Sequence, residues 1–286
     1  MSPANRGRVS ILAASVLWSL SGVLAKEVNL GGVTLGFWRS LFAGLALLPL
    51  IPARNRVFRP ALVPLGLVFA LTMGSYLVAV KATTAANAIF LQNSASFWTI
   101  PLAALMLRER PELRSVAGIA LAMLGVALIV ARGGDGRPGE GFGIAMGLAS
   151  GLGYALIVVG LRGLRDLDPT WLSCVNNAST AGFLGLWLVA SSGTIALPQG
   201  REWPILAGFG VVQLAVPYVL FARGVRHVQA PEAALITLLE PVLNPIWVYL
   251  RHGERPADAT LVGGLFLLAG VGARYLPIRA IRRPRS

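Results

Sequence analysis

Apolar residues are gathered in ten long runs that are separated by short polar segments. Each run is close to the roughly 20 residues that a helix needs to cross the hydrocarbon core of a bilayer. Helices in the core of a soluble protein would be shorter and would carry a polar face. The pattern therefore predicts an all-α fold, a polytopic membrane protein with ten transmembrane helices. In chain order the runs are residues 9–25, 33–51, 62–80, 88–107, 115–131, 141–161, 170–190, 203–222, 233–250 and 259–276.

The second half of the chain repeats the first. The turn Glu109-Arg110-Pro111 follows the fourth run, and the turn Glu254-Arg255-Pro256 follows the ninth, 145 residues later. Two glycines follow each turn at the same distances, and earlier in each half the matching residues are 136 positions apart. The matching pairs are Gly118 with Gly263, Gly125 with Gly270, Trp18 with Tyr154, Lys26 with Arg162, and Thr34 with Thr170.

The repeated unit contains five runs, and an odd number of crossings places the start of the second copy on the opposite side of the membrane. We therefore predict two inverted five-helix repeats, residues 1–137 and 138–286, which together form one transmembrane domain. Many secondary transporters are built this way and bind their substrate near the midplane between the halves. The alternative is a duplication that only built a stable bundle.

Prolines lie well inside three of the ten runs, away from the ends. Pro101 lies inside the fourth run, Pro217 inside the eighth, and Pro241 and Pro245 inside the ninth. A proline in a helix frees the carbonyl four residues earlier. In a membrane, such a carbonyl must face protein or a water-filled cavity. The prolines thus predict that these helices are broken next to a cavity.

Polar side chains concentrate in the same runs and in the third. In the ninth run they recur on one helical face. A polar face inside the membrane must point to protein or water, so we predict a substrate cavity walled by helices 3, 4, 8 and 9. The predicted lining residues are Tyr76, Gln92, Asn93, Ser96, Gln213, Tyr218, Thr237, Glu240 and Asn244, with Trp98 and Trp247 as further candidates for contact with an apolar side chain.

Glu240 is the one acidic residue near the centre of any apolar run. Because a charge at a helix centre costs on the order of 3 kcal/mol, such a residue is a functional candidate by default. It would bind a substrate ammonium, carry a coupling proton, or be kept neutral by burial. The alternative is a structural hydrogen bond from a protonated carboxyl to a kinked backbone. Arg39, two turns into the second run, is expected to extend along the helix towards the membrane interface or to bond to carbonyls at the helix end.

Composition agrees with a membrane protein, since 55% of the residues are hydrophobic and only 13% are charged. The net charge of +13 would suggest nucleic acid in a soluble protein, but here the basic residues sit at the ends of the runs. With a cytoplasmic N-terminus, sixteen basic residues fall on the cytoplasmic side and seven outside. The positive-inside rule therefore predicts that both termini are cytoplasmic.

The sequence lacks the motifs that are typical of disulfide-bonded, cysteine-metal and nucleotide-binding proteins. A single cysteine, Cys174, rules out a disulfide framework and a cysteine-based metal site. A phosphate-binding loop is absent, which disfavours ATP-driven transport by this chain alone. We expect no cofactor, no metal and no nucleic-acid partner, and an oligomer is not required. An intramembrane enzyme or a channel that uses Glu240 in a polar cavity is the alternative to a transporter.

Taken together, these residues resemble the EamA-type carriers of the drug/metabolite transporter superfamily. The resemblance rests on Phe37-Trp38-Arg39, the two Glu-Arg-Pro turns with their glycines, Tyr218 and Glu240-Pro241. It implies secondary transport of a small-molecule substrate across the bacterial inner membrane, through a cavity formed by helices 3, 4, 8 and 9. Within that family the chain is most similar to the YddG branch, which implies export of aromatic and other neutral amino acids. One departure is Ser96, near the first-half position that corresponds to Pro241.

Overall fold

The computed structural model describes residues 1–107, 113–134, 136 and 138–275. All regular structure in these ranges is helical. The ten apolar runs appear as fourteen α-helices there, because the first, fourth, eighth and ninth runs are each divided in two. The helices are α1 (Pro3–Trp18), α2 (Ser21–Glu27), α3 (Gly32–Leu47), α4 (Leu62–Ala82), α5 (Ala85–Asn93), α6 (Ala95–Leu107), α7 (Leu113–Arg132), α8 (Glu140–Arg162), α9 (Pro169–Ser192), α10 (Glu202–Gly210), α11 (Val216–Gly224), α12 (Ala230–Thr237), α13 (Leu239–His252) and α14 (Asp258–Tyr275).

Many of these helices have the length and composition of membrane spans. Within the described residues, six segments are long and apolar enough to cross a bilayer, and two shorter apolar helices accompany them. Large apolar side chains such as Leu45, Leu186 and Leu265 project outwards from the bundle, where a bilayer would cover them. The chain is therefore an all-helical, multi-pass membrane protein, and the count of ten spans remains a prediction. The six segments are Pro3–Glu27, Gly32–Leu50, Leu62–Ala82, Glu140–Arg162, Glu202–Gly224 and Glu232–His252.

Glycines bring α7 and α14 into direct backbone contact. A Cβ placed on Gly118 would lie 2.6 Å from the carbonyl oxygen of Gly270, and one on Gly125 would lie 2.3 Å from that of Gly263. Position numbers rise along α7 as they fall along α14, so the two helices are antiparallel. In the repeat, Gly118 corresponds to Gly263 and Gly125 to Gly270. The two contacts are therefore equivalent to each other, which is the arrangement that a two-fold axis between the repeats produces.

The same relation holds between α3 and α9, the helices of the second and seventh runs. A Cβ on Gly36 would lie 2.9 Å from Leu184, whereas one on Gly44 would lie 3.5 Å from the backbone of Ala178. These helices are therefore antiparallel as well. The third run also packs against the sixth, through α4 and α8, and the eighth run packs against the first, through α11 and α1. These two contacts are equivalent if the two halves are related by a two-fold axis.

Corresponding runs of the two halves also break at corresponding places. The fourth run is divided at Ser94 and the ninth at Leu238, and the helices that precede these breaks begin 145 residues apart. The break in the fourth run lies three residues before Phe97, whose carbonyl Pro101 was expected to free. Pro101 itself lies within the helical turns of α6, so the break predicted for the fourth run is present but lies before the proline.

The turn at Ser94 has a local cause. The Ser94 amide bonds to the carbonyl of Leu91, three residues back rather than four, which tightens the helix there. The Ser94 side chain occupies the space beside Gly151 of α8. Of the two Glu-Arg-Pro turns, the first lies outside the described residues.

Replacing Gly125 with alanine should destabilise the bundle. The added methyl group would meet the backbone of α14, which cannot rotate away, and overpacking of this kind typically costs about 1–3 kcal/mol. We expect a lower thermal midpoint for the purified protein in detergent. Gly182→Ala in α9 is the matched control, since a Cβ there meets nothing within 4 Å. Equal midpoints for the two variants would contradict the close contact of α7 with α14.

Candidate functional site

The first apolar run is broken near its middle, between Trp18 at the end of α1 and Ser21 at the start of α2. No proline causes this break. The Ser19 hydroxyl donates to the carbonyl of Val16 at 2.7 Å and accepts a hydrogen bond at 2.9 Å from the indole nitrogen of Trp247. Such local side-chain bonds compete with regular helix. The break therefore exposes backbone and hydroxyl groups to neighbouring helices.

A buried hydrogen-bonded group joins three helices at this break. The Ser21 hydroxyl lies 2.8 Å from the hydroxyl of Tyr76 in α4, and it accepts a hydrogen bond of 2.9 Å from the Asn244 side chain in α13. All three residues are buried, and the Asn244 carbonyl oxygen has no hydrogen-bond partner in the described structure. We call Ser21, Tyr76 and Asn244 the central triad.

The eighth run contributes to the same region through a π-helical turn at Val211–Ala215. Gln213 lies in this turn and donates to the carbonyl of Trp18 at 2.9 Å, which satisfies an acceptor at the end of α1. The Trp18 ring in turn meets Tyr218 edge-on, with 5.5 Å between the ring centroids. Turns of this type are often found at functional sites. The irregularity predicted from Pro217 thus occurs next to the residues predicted to line a cavity.

Glu240 lies in the first turn of α13 and is half-buried. Among the described residues, its carboxylate has neither a hydrogen-bond nor an ion-pair partner. It is close enough to Arg39, Tyr76 and Tyr218 to interact with them electrostatically. Its position at the start of a helix favours negative charge. A partly accessible acid therefore lies beside the central triad, in the interior of the bundle.

Arg39 does not extend to the membrane interface, and that expectation is wrong. Its side chain is only 3% exposed. The guanidinium packs over the ring of Phe209 at 4.9 Å from the centroid and donates from Nη2 to the sulfur of Met73 at 3.5 Å. Met73 belongs to α4 and Phe209 to α10, so the side chain lies between α3 and these two helices.

Among the described residues, those predicted on the fourth run make no hydrogen bond to the central triad. Asn93 donates at 2.8 Å to the carbonyl of Ile89 in its own helix, and Ser96 is half-buried. The Gln92 amide nitrogen and the Trp98 indole nitrogen are buried without a hydrogen-bond partner in the described structure. Thr237 likewise bonds within its own helix, to Ala234 at 2.8 Å. Their place in a cavity remains a prediction.

Four residues that meet at this site were not predicted from the sequence as lining it. Trp18, Ser19 and Ser21 belong to the first run, and Arg39 belongs to the second. The signal that could have found the first three is the cluster Trp-Ser-Leu-Ser-Gly inside an apolar run. Prolines could not indicate this break, because the first run contains none.

Ion pairs join helices at the end of the bundle where α2 ends. Lys26 of α2 contacts Glu254 at 2.5 Å, with both side chains largely buried. Glu254 also accepts a 2.8 Å hydrogen bond from the amide of Ala85, at the start of α5. Arg251 pairs with Glu27 at 2.5 Å beside them. We call Lys26, Glu254 and the Ala85 amide the end cluster.

The opposite end is held by more exposed pairs. Arg8 of α1 contacts Glu232 of α12 at 2.5 Å, and Arg59 contacts Asp166. Within the described residues, no group of three or more His, Cys, Asp or Glu side chains is arranged to hold a metal ion.

Known proteins resemble this chain over most of its length. A protein of Archaeoglobus fulgidus named as an uncharacterized transporter is 33% identical over 269 residues, which cover 93% of this chain and 94% of its own. The inner membrane transporter YicL of Salmonella typhimurium, also named as uncharacterized, is 25% identical, and the alignment covers 95% of each chain. One crystal structure matches with a TM-score of 0.68 at 17% identity and covers 94% of this chain and 96% of its own. That structure supports the fold alone.

The model of the EamA-like transporter family matches the chain twice, over residues 5–131 and 141–273. The two matches fall on the two halves that the repeated Glu-Arg-Pro turns and glycines distinguish. The family and the names of the relatives indicate a transporter. The protein belongs to the EamA-like transporter family, within the drug/metabolite transporter superfamily.

Proposed function

We propose that the protein is a secondary transporter that exports amino acids, aromatic and other neutral ones among them, by alternating access. The observation that carries this is the central triad with Glu240 and Arg39 beside it, at the point where the first, eighth and ninth runs are irregular. Ionisable and polar groups deep in a membrane are costly and mark substrate pathways. A carboxylate and a guanidinium cation in one interior region suit a substrate that carries one positive and one negative charge.

The proposed architecture has ten spans in two inverted repeats, residues 1–137 and 138–286. Its support is the antiparallel contact of α7 with α14 and of α3 with α9, since these pairs join equivalent helices of the two halves. Opposite directions of equivalent helices are what inversion across a membrane requires. Alternating access then follows when the halves exchange conformations around a site between them.

We propose an inner-membrane location with both termini in the cytoplasm. Arginines gather at the cytoplasmic ends of the runs, as the positive-inside rule requires. The relative from Salmonella typhimurium is named as an inner membrane transporter. The end cluster would then close the external side, and the exposed pairs of Arg8 and Arg59 would lie on the cytoplasmic side.

The proposed substrate-binding residues are those predicted from the sequence together with Ser21 and Arg39. Trp247 would offer aromatic surface to an apolar side chain. The full set is Ser21, Arg39, Tyr76, Gln92, Asn93, Ser96, Trp98, Gln213, Tyr218, Thr237, Glu240, Asn244 and Trp247.

Uptake of labelled amino acids into proteoliposomes tests this function. Purified protein is reconstituted, and uptake of phenylalanine, leucine and alanine is measured with and without a proton gradient. We expect saturable uptake above that of protein-free liposomes, competed by unlabelled amino acid. If no amino acid is moved, the proposed substrate is wrong; product formation seen by mass spectrometry or single-channel current in a planar bilayer would instead support an enzyme or a channel.

Replacing Glu240 with glutamine should slow that uptake at least about tenfold, the equivalent of 1.4 kcal/mol. Glutamine keeps the size of the side chain but removes its negative charge and its titration, and it replaces one acceptor oxygen with an NH2 donor. The measurement is initial uptake at several pH values, beside the control Glu232→Gln, whose carboxylate belongs to an exposed pair. An uptake rate and pH profile equal to those of the unmodified protein would exclude both ammonium binding and proton coupling at Glu240.

A further inference from the structure

Arg39 is a buried cation without an anionic partner in the described structure. Its Nη2 reaches a thioether sulfur, which is a weak acceptor. One face of the guanidinium lies over Phe209, and Nε is buried with no hydrogen-bond partner among the described residues. The strong donor capacity of this group is therefore largely unused.

Such a charge is costly to leave alone. An arginine side chain stays protonated in proteins, so it cannot relieve the cost by losing its proton. A buried charge is tolerated when a counter-charge and hydrogen bonds compensate it. Five N–H donors in a planar fork match the two oxygens of a carboxylate. The carboxylate of a bound substrate would supply the negative charge and the hydrogen-bond acceptors that Arg39 lacks in the described structure.

The nearest candidate counter-ion within the protein is Glu240, but the two groups do not form an ion pair. They interact electrostatically, yet no nitrogen of Arg39 lies within 4.0 Å of a carboxylate oxygen. Tyr76 and Tyr218 interact electrostatically with both charges. Arg39 and Glu240 thus lie in the same interior region without direct contact, and tyrosine hydroxyls lie near both.

We propose that Arg39 binds the carboxylate of the transported amino acid while Glu240 binds its ammonium group. This rests on the proposed transport of amino acids and goes beyond it by naming the groups that are recognised. A zwitterion placed between the two residues satisfies both charges at once. An amine or an amide of the same side chain would leave Arg39 unpaired and so bind more weakly.

Competition against labelled phenylalanine in proteoliposomes tests the assignment. The competitors are leucine, which keeps both charges, leucinamide, which lacks the carboxylate, and isoamylamine, which lacks it without adding an amide. For the unmodified protein we expect leucinamide and isoamylamine to need at least about tenfold higher concentrations than leucine for half-inhibition. In Arg39→Gln, that preference should shrink to less than about twofold, as leucine loses its advantage.

Arg39→Lys is the second variant, needed because the glutamine variant removes a charge from a packed interior and can fail to fold. Lysine keeps the charge but not the bidentate geometry, so we expect it to retain a smaller preference for leucine over leucinamide. Size-exclusion profiles show whether each variant is folded. Met73→Leu is the matched control, since it removes the sulfur contact and keeps the arginine, and its preference should equal that of the unmodified protein.

The outcomes separate this proposal from the proposed function. If phenylalanine is not transported at all, the proposed substrate class fails and Arg39 cannot serve it. If phenylalanine is transported but leucine and leucinamide compete equally in the unmodified protein, the carboxylate is not recognised and the Arg39 assignment is wrong. A full-sized preference in Arg39→Gln, or in Arg39→Lys if the first variant does not fold, would equally overturn it.

Discussion

Asn244→Ala should reduce amino acid uptake to less than about a tenth of the normal rate. The Asn244 side chain is fully buried and donates to Ser21, which in turn lies against Tyr76. Its loss leaves the buried Ser21 hydroxyl with one partner fewer, a cost of about 1–3 kcal/mol. It also removes the link between α13 and the break in the first run. Initial uptake and the thermal midpoint should both be measured, because a defect in transport must exceed what instability explains.

Asn177→Ala supplies the matched control for that variant. Asn177 is also fully buried, and its carbonyl oxygen likewise has no hydrogen-bond partner in the described structure. Its amide bonds within its own helix, to Ser173. We expect a similar loss of stability in the two variants but near-normal uptake for Asn177→Ala. If uptake falls equally in both, the central triad has no special part in transport.

Lys26→Glu should abolish uptake, and the double exchange Lys26→Glu with Glu254→Lys should restore a large part of it. Lys26 and Glu254 are 17% and 9% exposed as side chains, so the single change places acids against each other with little water to screen them. Closure of that end of the bundle would then fail. The double exchange returns one charge of each sign to the end cluster. Uptake by the two variants and by Glu254→Lys alone is the measurement.

The pair of Arg8 and Glu232 provides the comparison for the end cluster. Its side chains are 51% and 40% exposed, and pairs of that kind contribute only about 0–1 kcal/mol. Glu232→Lys should therefore leave most of the uptake intact. Failure of the double exchange to recover any uptake would show that Lys26 and Glu254 do not act as a pair.

Much of the architecture could be predicted because it depends on spacing along the chain. The matching positions 145 residues apart place Gly118, Gly125, Gly263 and Gly270 where two helices touch through their backbones. Proline at position 217 correctly marked an irregular turn in the eighth run. Periodicity and repetition reveal such features because the backbone geometry itself imposes them.

The centre of the candidate site was harder to predict, since it depends on which helices become neighbours. Tyr76 and Asn244 were predicted to line one cavity, but the residue that joins them is Ser21 of the first run. A serine among apolar residues gives no warning of the partner it will meet. Arg39 illustrates the same difficulty: from its position near a helix end it was expected to reach the interface, whereas the packing of α4 and α10 encloses it.

Alternating access requires that the interior site opens to each side of the membrane in turn. The reaction of a cysteine at position 237 with a thiol reagent tests this most directly. Thr237→Cys is made after Cys174→Ala has removed the only native thiol. Thr237 ends α12, three residues before Glu240, and bonds only within its own helix. Leu265→Cys, on the outward apolar surface, is the control that a hydrophilic reagent should not modify. A membrane-impermeant thiol reagent, applied separately to each side of oriented vesicles, should label position 237 from both sides, and phenylalanine should slow the labelling. Labelling from one side only, or from neither, would contradict alternating access to this site.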